Sequence, residues 1–490
     1  MTTHYIKKSC IALLVITAIS IAGCKKYLDT NTNPNLSTTA SPDLLLPAVQ
    51  VAIGHVLGNP LQIYGGIWAQ YWTQNPKSSQ YRSIEQYAST TTDFDRPWRM
   101  MYSDALQDIQ EILNLTQGKQ SLNSYTAIAL LMKAYDMQLA TDAFGDIPLT
   151  EAATPNITNP KYTPQQQVYD SIFAYVDRAI ALIDVNAEVT PSSDDLIFQG
   201  DMEQWLRFAN TFKLRAYLRL SEIAPQKAAA GIATLSGTST MFLETDAQIA
   251  YSTIGGNQNP LFSEILGLGR TQNLVASETV TKFMAQNHDP RADIFFNRYT
   301  NSSGLDSIIG IAQGSYRANS KNPEYSFPSP VVGANGQDDK SANAPVKFMS
   351  AAESYFLQAE AVVRGWLNIG VPAQTLFTEG IEASFASYNV QGVSTYLATA
   401  PAAQWPAGTQ AQIRAIIIQK WLAMTGNQGF EAWTEWRRTN YPDFFTTSQA
   451  STIGAGRMPE RLIYPNSEVT RNANFPGIAL IYTKVWWDAN

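Results

Sequence analysis

The residues best suited to chemistry lie between positions 63 and 98, in the run IYGGIWAQYWTQNPKSSQYRSIEQYASTTTDFDRPW. Trp68, Tyr71, Trp72, Tyr81, Tyr87 and Trp98 are interleaved there with the amides Gln70, Gln74, Asn75 and Gln86. Rings set among Gly, Pro, Ser and Thr read as loop residues. A ring stacks on the apolar face of a sugar, and neighbouring amides bond its hydroxyls. Tyr316, Arg317 and Tyr325 form a second such group in the Gly-, Asn- and Ser-rich stretch 301–344. The expected ligand contacts are therefore Trp68, Tyr71, Trp72, Tyr81, Trp98, Tyr316 and Tyr325. The competing reading is structural. Large aromatics dominate core burial, and Trp68 and Trp72 are four apart, the spacing of one helix face.

A search for catalytic sets yields nothing. The chain has three histidines, His4, His55 and His288, and none neighbours another. No zinc-protease helix, phosphate-cradling glycine-lysine loop or nucleophile elbow is present. Gly267-Leu268-Gly269 and Gly454-Ala455-Gly456 are fragments of a dinucleotide pattern and read as turns. Asp142 and Asp146, in TDAFGDIPLTEA, read as solvated turn acids or helix caps, with no His at ligand spacing. No catalytic residue, metal or cofactor is implied. A carboxylate pair for glycoside hydrolysis stays open, because its spacing exists only in three dimensions.

Composition favours uncharged polar ligands. Charged residues are 15% of the chain, against about 25% in typical proteins, while aromatics are 11%. The net charge is −7 with no basic run, which argues against nucleic acid. The amino terminus reads as a targeting segment: Lys7-Lys8, then an apolar stretch 11–22 too short to span a bilayer. It ends Ile21-Ala22-Gly23-Cys24, which resembles a bacterial lipoprotein processing site. Residues 1–23 are then a signal peptide, Cys24 the acylated anchor, and 24–42 a polar lipidated tether. Cys10 leaves with the signal, so no disulfide or thiolate site follows.

The positioning elements read as helices. Apolar residues recur at helical spacing over 44–57, 102–115, 125–139, 168–183, 203–220, 350–388 and 413–438. In 203–220 the cations Arg207, Lys213, Arg215 and Arg219 read as the solvated face. The run 350–388 reads as a hairpin broken at Gly370 and Pro372, with the small and large residues of tetratricopeptide pairs. The run 419–442, QKWLAMTGNQGFEAWTEWRRTNYP, reads as a second hairpin turning at Gly426-Asn427. Its tryptophans, Trp421, Trp433 and Trp436, read as core. Arg437 and Arg438 are expected to pair with Glu431 or Glu435, or to cap helix-end carbonyls. The end of the chain, IALIYTKVWWD, looks strand-like. The expected architecture is mainly α, with about four tetratricopeptide-like helical hairpins and long loop-rich insertions in one domain over 43–490.

The run 419–442 also resembles the C-terminal signature of the SusD/RagB family of nutrient-binding outer-membrane lipoproteins. TDAFGDIPLTEA, FMSAAESYFLQAEA and the closing RLIYPNSEV…TKVWWD resemble the same family. Four such stretches in order are specific, and they cover nearly the whole chain. The resemblance is closer to the second SusD-like branch than to the starch-binding members, so no starch or calcium site transfers residue by residue. It implies a surface-exposed, lipid-anchored protein that captures oligosaccharide, or in some members peptide. Such a protein acts as a lid on a SusC-like TonB-dependent outer-membrane barrel, with no enzymatic activity. The alternatives are the same lid role for peptides, an outer-membrane glycoside hydrolase, or a tetratricopeptide assembly factor.

Overall fold

The computed structural model describes residues 40–237, 241–320 and 324–490. The expected signal peptide, the expected anchor Cys24 and all but the last residues of the expected tether lie outside them. The chain opens with helices α1 (Pro42–Gly58) and α2 (Pro60–Trp68), strand β1 (Trp72–Gln74), α3 (Arg82–Glu85) and α4 (Asp95–Arg99). Helix α4 continues through a π-helical segment, Met100–Leu106, into α5 (Gln107–Thr116), and α6 (Asn123–Phe144) follows. Then come α7 (Gln165–Leu182), α8 (Met202–Arg219), α9 (Pro225–Ala233), β2 (Ala247–Ile249), α10 (Pro260–Gly267), β3 (Leu274–Ala276), α11 (Glu278–Gln286) and α12 (Ala292–Phe295). The carboxy-terminal half adds β4 (Val346–Met349), α13 (Ala351–Val363), α14 (Ala373–Ala386), α15 (Val393–Thr399), α16 (Thr409–Ala423), α17 (Gly429–Thr439) and α18 (Asn466–Arg471).

Helix α6 is buried almost all round, polar Asp136, Gln138 and Asp142 included. It packs against α5 and α7, and α8 packs against α6 and α7. Helices α13 and α14 form the expected hairpin, and α16 lies against α13. Side-chain caps start two of these helices: Asp201 accepts from Glu203 N and Gln204 N, and Ser350 from Glu353 N. The strands are short antiparallel pairs, β1 with β3 and β2 with β4. Each clips a distant insertion to the helical body. The strand-like end of the chain forms no strand among the described residues and runs through turns. Its Trp487 is instead buried, with its indole N–H donating to Asp142 at 2.7 Å.

The run 419–442 does turn where the glycine predicts, with Gly426 at φ +73°. Its two helices then part: α16 packs on α13, while α17 packs on α2. The second contact is a backbone crossing. A Cβ on Gly65 would lie 2.2 Å from Phe430 N, and one on Gly429 would lie 2.5 Å from Gly66 N. Trp421 and Trp433 are core, as read from their spacing, and Trp436 is half-buried.

Five of the elements, α6, α8, α13, α16 and α17, meet at a buried ion cluster that corrects the sequence reading of α8. Arg219 and Arg215 are not solvated; both are fully buried. Arg219 bonds Asp142 at 3.2 Å, Glu431 at 2.6 Å and also Glu435. Arg438 bonds Glu360 at 2.7 Å and Glu435 at 2.6 Å, and Lys420 lies 3.2 Å from Glu435. Arg437 caps carbonyls, Asp142 O at 2.8 Å and Glu460 O at 2.9 Å, and stacks over Trp433. Asp142 is likewise buried rather than a solvated turn acid. The reason is long-range. The carboxylates that satisfy Arg219 come from α6 and α17, more than 70 and 200 residues away in either direction. Arg207 and Lys213 are also largely covered, paired with Glu203, Glu244 and Asp177. Burial alone would raise Glu435, but Arg438, Lys420 and Arg219 outweigh it and hold its carboxyl well below the ordinary range.

Candidate functional site

The seven expected contact residues are all at most 6% exposed. Trp68 closes α2 rather than a loop; its N–H donates to Ile84 O, and its ring meets Trp433 edge-on at 4.8 Å. Tyr71 stacks on Trp421 at 5.6 Å and donates to Trp421 O. Trp72 lies in β1, opposite Ala276. Tyr325 donates to Asn75 Oδ1 at 2.8 Å beneath its own loop. These four rings are packing, not platform: each has its faces filled by other rings or backbone, which leaves no face for a sugar. Tyr81, Trp98 and Tyr316 are also mostly covered, but Tyr81 and Trp98 lie at the edges of surface concavities.

The amides have partners of their own. Gln70 Nε2 donates to Thr446 O at 2.8 Å, and Asn75 Nδ2 donates to Gln272 O at 2.6 Å. Gln74 Oε1 accepts from Tyr81 N at 2.7 Å, and Gln86 Nε2 donates to the Tyr316 hydroxyl at 2.7 Å. They hold the segment 70–87 to loops hundreds of residues away, as buried amides must bond something. Glu85 sits at the centre of this scaffold, fully buried and accepting from Gln74 N at 3.0 Å. Burial lifts its carboxyl to about 7, against the lowering pull of hydrogen bonds from Gln74, Thr73 and Gly314.

What the folded segment does offer is a set of walls, since four surface concavities are bordered by residues 80–107. The largest, of about 600 Å³, runs along one flank of α4 and the π-helical segment. Trp98, Tyr102, Ser103 and Gln107 line it, and the adjacent Tyr102 and Ser103 each lie four or five positions from both Trp98 and Gln107. In a π-helix the hydrogen bonds reach five residues instead of four, so this spacing keeps the side chains on one side. Trp98 and Tyr102 stack with centroids 4.5 Å apart, and Tyr102 donates to Pro148 O at 2.9 Å. Opposite stand Asn466, Ser467, Glu468, Thr470 and Arg471 of α18. Asp95 accepts from Ser467 N at 2.7 Å, which ties α4 to α18. Glu468 accepts from Tyr162 at 2.7 Å and from Asn472 at 2.9 Å. Arg99 is held by Asp104 at 2.9 Å.

The other flank of α4 borders a second groove, of about 490 Å³, that runs on into a cleft of about 200 Å³. Asn59, Gln80, Arg96 and Glu264 line both. Tyr81 donates to Glu264 Oε1 at 3.0 Å, and Arg96 bonds the His55 Nε2 at 2.7 Å. A shallower hollow beside α3 is lined by Gln86, residues 314–318 in part, Gln449 and Thr452. Among the described residues no set of three His, Cys, Asp or Glu converges as a metal would need.

Of the residues around the main groove, sequence reading found only Trp98. Tyr102 four positions later was the available signal, an aromatic pair at helical spacing. The α18 side of the groove carries no pattern that links it to α4, since the two are over 350 residues apart.

The stack of helical pairs agrees with what the comparisons with known proteins show. The SusD-like_2 family model, described as starch-binding associating with outer membrane, matches residues 34–465. The chain belongs to the SusD-like family. No curated protein matches it. Among solved structures it is similar to a chitin-binding protein, at 24% identity and a TM-score of 0.79, covering 92% of this chain and 100% of the other. It is also similar to a chitin-binding SusD homolog from Flavobacterium johnsoniae, at 24% identity and a TM-score of 0.75, with 92% and 97% covered. A SusD homolog from Bacteroides uniformis matches at 23% identity and a TM-score of 0.76, with 91% and 99% covered. At these identities the likeness establishes the SusD-like fold, mainly helical with tetratricopeptide-like pairs.

Proposed function

We propose that this SusD-like protein is a cell-surface lipoprotein that captures oligosaccharide in the groove between α4 and α18. It then delivers the glycan as a lid to a SusC-like TonB-dependent outer-membrane barrel. The observation that carries the reading is the half-buried Tyr102, backed by the covered Trp98 and set among amides, hydroxyls and ions in an open groove of about 600 Å³. Sugar recognition needs an apolar face beside groups that both donate and accept. The family description and the two chitin-binding neighbours support a glycan; Cys24 supports the anchor. Binding without turnover fits the groove's two carboxylates, Asp95 and Glu468, because both already accept hydrogen bonds from neighbouring residues.

Titration calorimetry of the protein lacking residues 1–24 tests this, with chito- and malto-oligosaccharides and a mixed peptide pool. Heat with one glycan class, weakened about tenfold or more in Tyr102→Ala, is the expected result, since an aromatic contact is worth about 0.5–1.5 kcal/mol beyond its buried area. Heat with peptides alone replaces the nutrient and keeps the lid. Glycan cleavage that disappears in Glu468→Gln makes the protein a hydrolase.

A further inference from the structure

The groove on the far flank of α4 shares no residue with the main one, yet the same short helix separates them. Asp95, Trp98 and Arg99 line the first; Arg96 and Pro97 line the second. The second groove has a floor of Pro60, Ile63, Tyr64 and Pro97 under exposed Gln80, Ser263 and Arg96. Its polar wall comes from four separate elements. Tyr81 engages Glu264 Oε1, leaving Oε2 to face Arg96 across 3.8 Å, too long for a hydrogen bond. The contact of Arg96 with His55 Nε2 makes the imidazole an acceptor, so the ring is neutral. Burial, then Arg96, hold His55 down to about 4, so that state persists across ordinary pH. The wall thus presents a carboxylate oxygen, guanidinium N–H groups and an amide side by side, while the cleft's second acid, Asp93, already accepts from Thr90 N. A hydroxyl both donates and accepts, and this wall suits it better than it suits an ion.

We propose that this groove is a second saccharide subsite, so that one oligosaccharide chain lies across α4 and occupies both grooves. The inference rests on the glycan reading of the first groove. A helix with its side chains is about 10–12 Å across, a width that a few sugar rings bridge. Linking two weak contacts on one chain raises the overall affinity well beyond either alone. Affinity should therefore climb with chain length and then level off.

The test is calorimetry with chito-oligosaccharides from disaccharide to octasaccharide. The wild-type protein is compared with Arg96→Ala, Gln80→Ala and Tyr102→Ala, each first shown folded by its thermal melt. Gln80 is exposed, so its variant keeps the test available if Arg96→Ala does not fold. The expected result is a rise of at least tenfold from short to long chains that Arg96→Ala and Gln80→Ala reduce. Short-chain affinity in those two stays within about twofold, whereas Tyr102→Ala weakens every length. Long chains binding no tighter than short ones, or unchanged by the Arg96 and Gln80 variants, overturn the second subsite and leave the first groove standing. No heat at any length, repeated with malto-oligosaccharides, overturns both.

Discussion

Single side chains in this protein carry consequences that their sequence positions conceal. Glu85 is an exposed-looking acid in a polar run, yet it is buried and its carboxyl is raised to about 7. A raised folded value means stability that is fully present below the unfolded value, near 4.5, and is lost as pH rises through 7. The shift amounts to about 3 kcal/mol at one pKa unit per 1.36 kcal/mol. Glu85→Gln, which cannot ionise, is expected to melt progressively higher than wild type between pH 5 and 8. Thermal unfolding across that range checks it; parallel curves for the two proteins would falsify the assignment. Arg438 is the opposite case, a charge whose partners Glu360 and Glu435 are all inside. Removing one member leaves buried carboxylates uncompensated, which costs about 3–5 kcal/mol. Arg438→Ala is expected to lower the urea midpoint accordingly, and a loss under 1 kcal/mol would mean that water reaches the cluster.

Elements are held in place here by close approach and by length. Helix α17 crosses α2 at glycines because no side chain fits between Gly65 and Phe430 N. Gly65→Ala forces the two backbones apart, and overpacking of this kind costs about 1–3 kcal/mol. Denaturant titration checks the value, and an unchanged midpoint would show that the helices separate freely. The π-helical segment works differently. It changes the pitch within one continuous helix, so Trp98 and Gln107, nine residues apart, both line one groove. Helical periodicity reads the existence of this helix and misses the pitch change, because no residue type marks it.

For the whole molecule, the expected anchor and the expected site are separable. Cys24→Ala removes the acylation site, and stable membrane attachment requires the acyl chains. The variant should leave the membrane fraction on cell fractionation while keeping its glycan heat in calorimetry. Retention in the membrane would assign the attachment to something other than Cys24. Binding and anchoring are expected to divide this way because Cys24 is not among the residues that line the groove.

The sequence alone determined what local physics can encode. Helical spacing marked α6, α7, α8 and the α13–α14 hairpin nearly to their ends, since each buries a face set by neighbours three or four residues away. The four family stretches determined the SusD-like class for the same reason, as runs of adjacent residues. The tertiary structure alone decided which polar and aromatic groups are free. Trp68 and Tyr71 resemble a binding platform until Trp433 and Trp421, some 350 residues on, pack against them, and Trp72 until it pairs in β1 opposite Ala276. Arg219 looks solvated until Asp142, Glu431 and Glu435 close around it. The groove has one side on α4 and the other on α18, and only the fold brings them together. Whether a ring or a charge faces solvent depends on contacts between residues far apart in the chain, and periodicity carries no record of them.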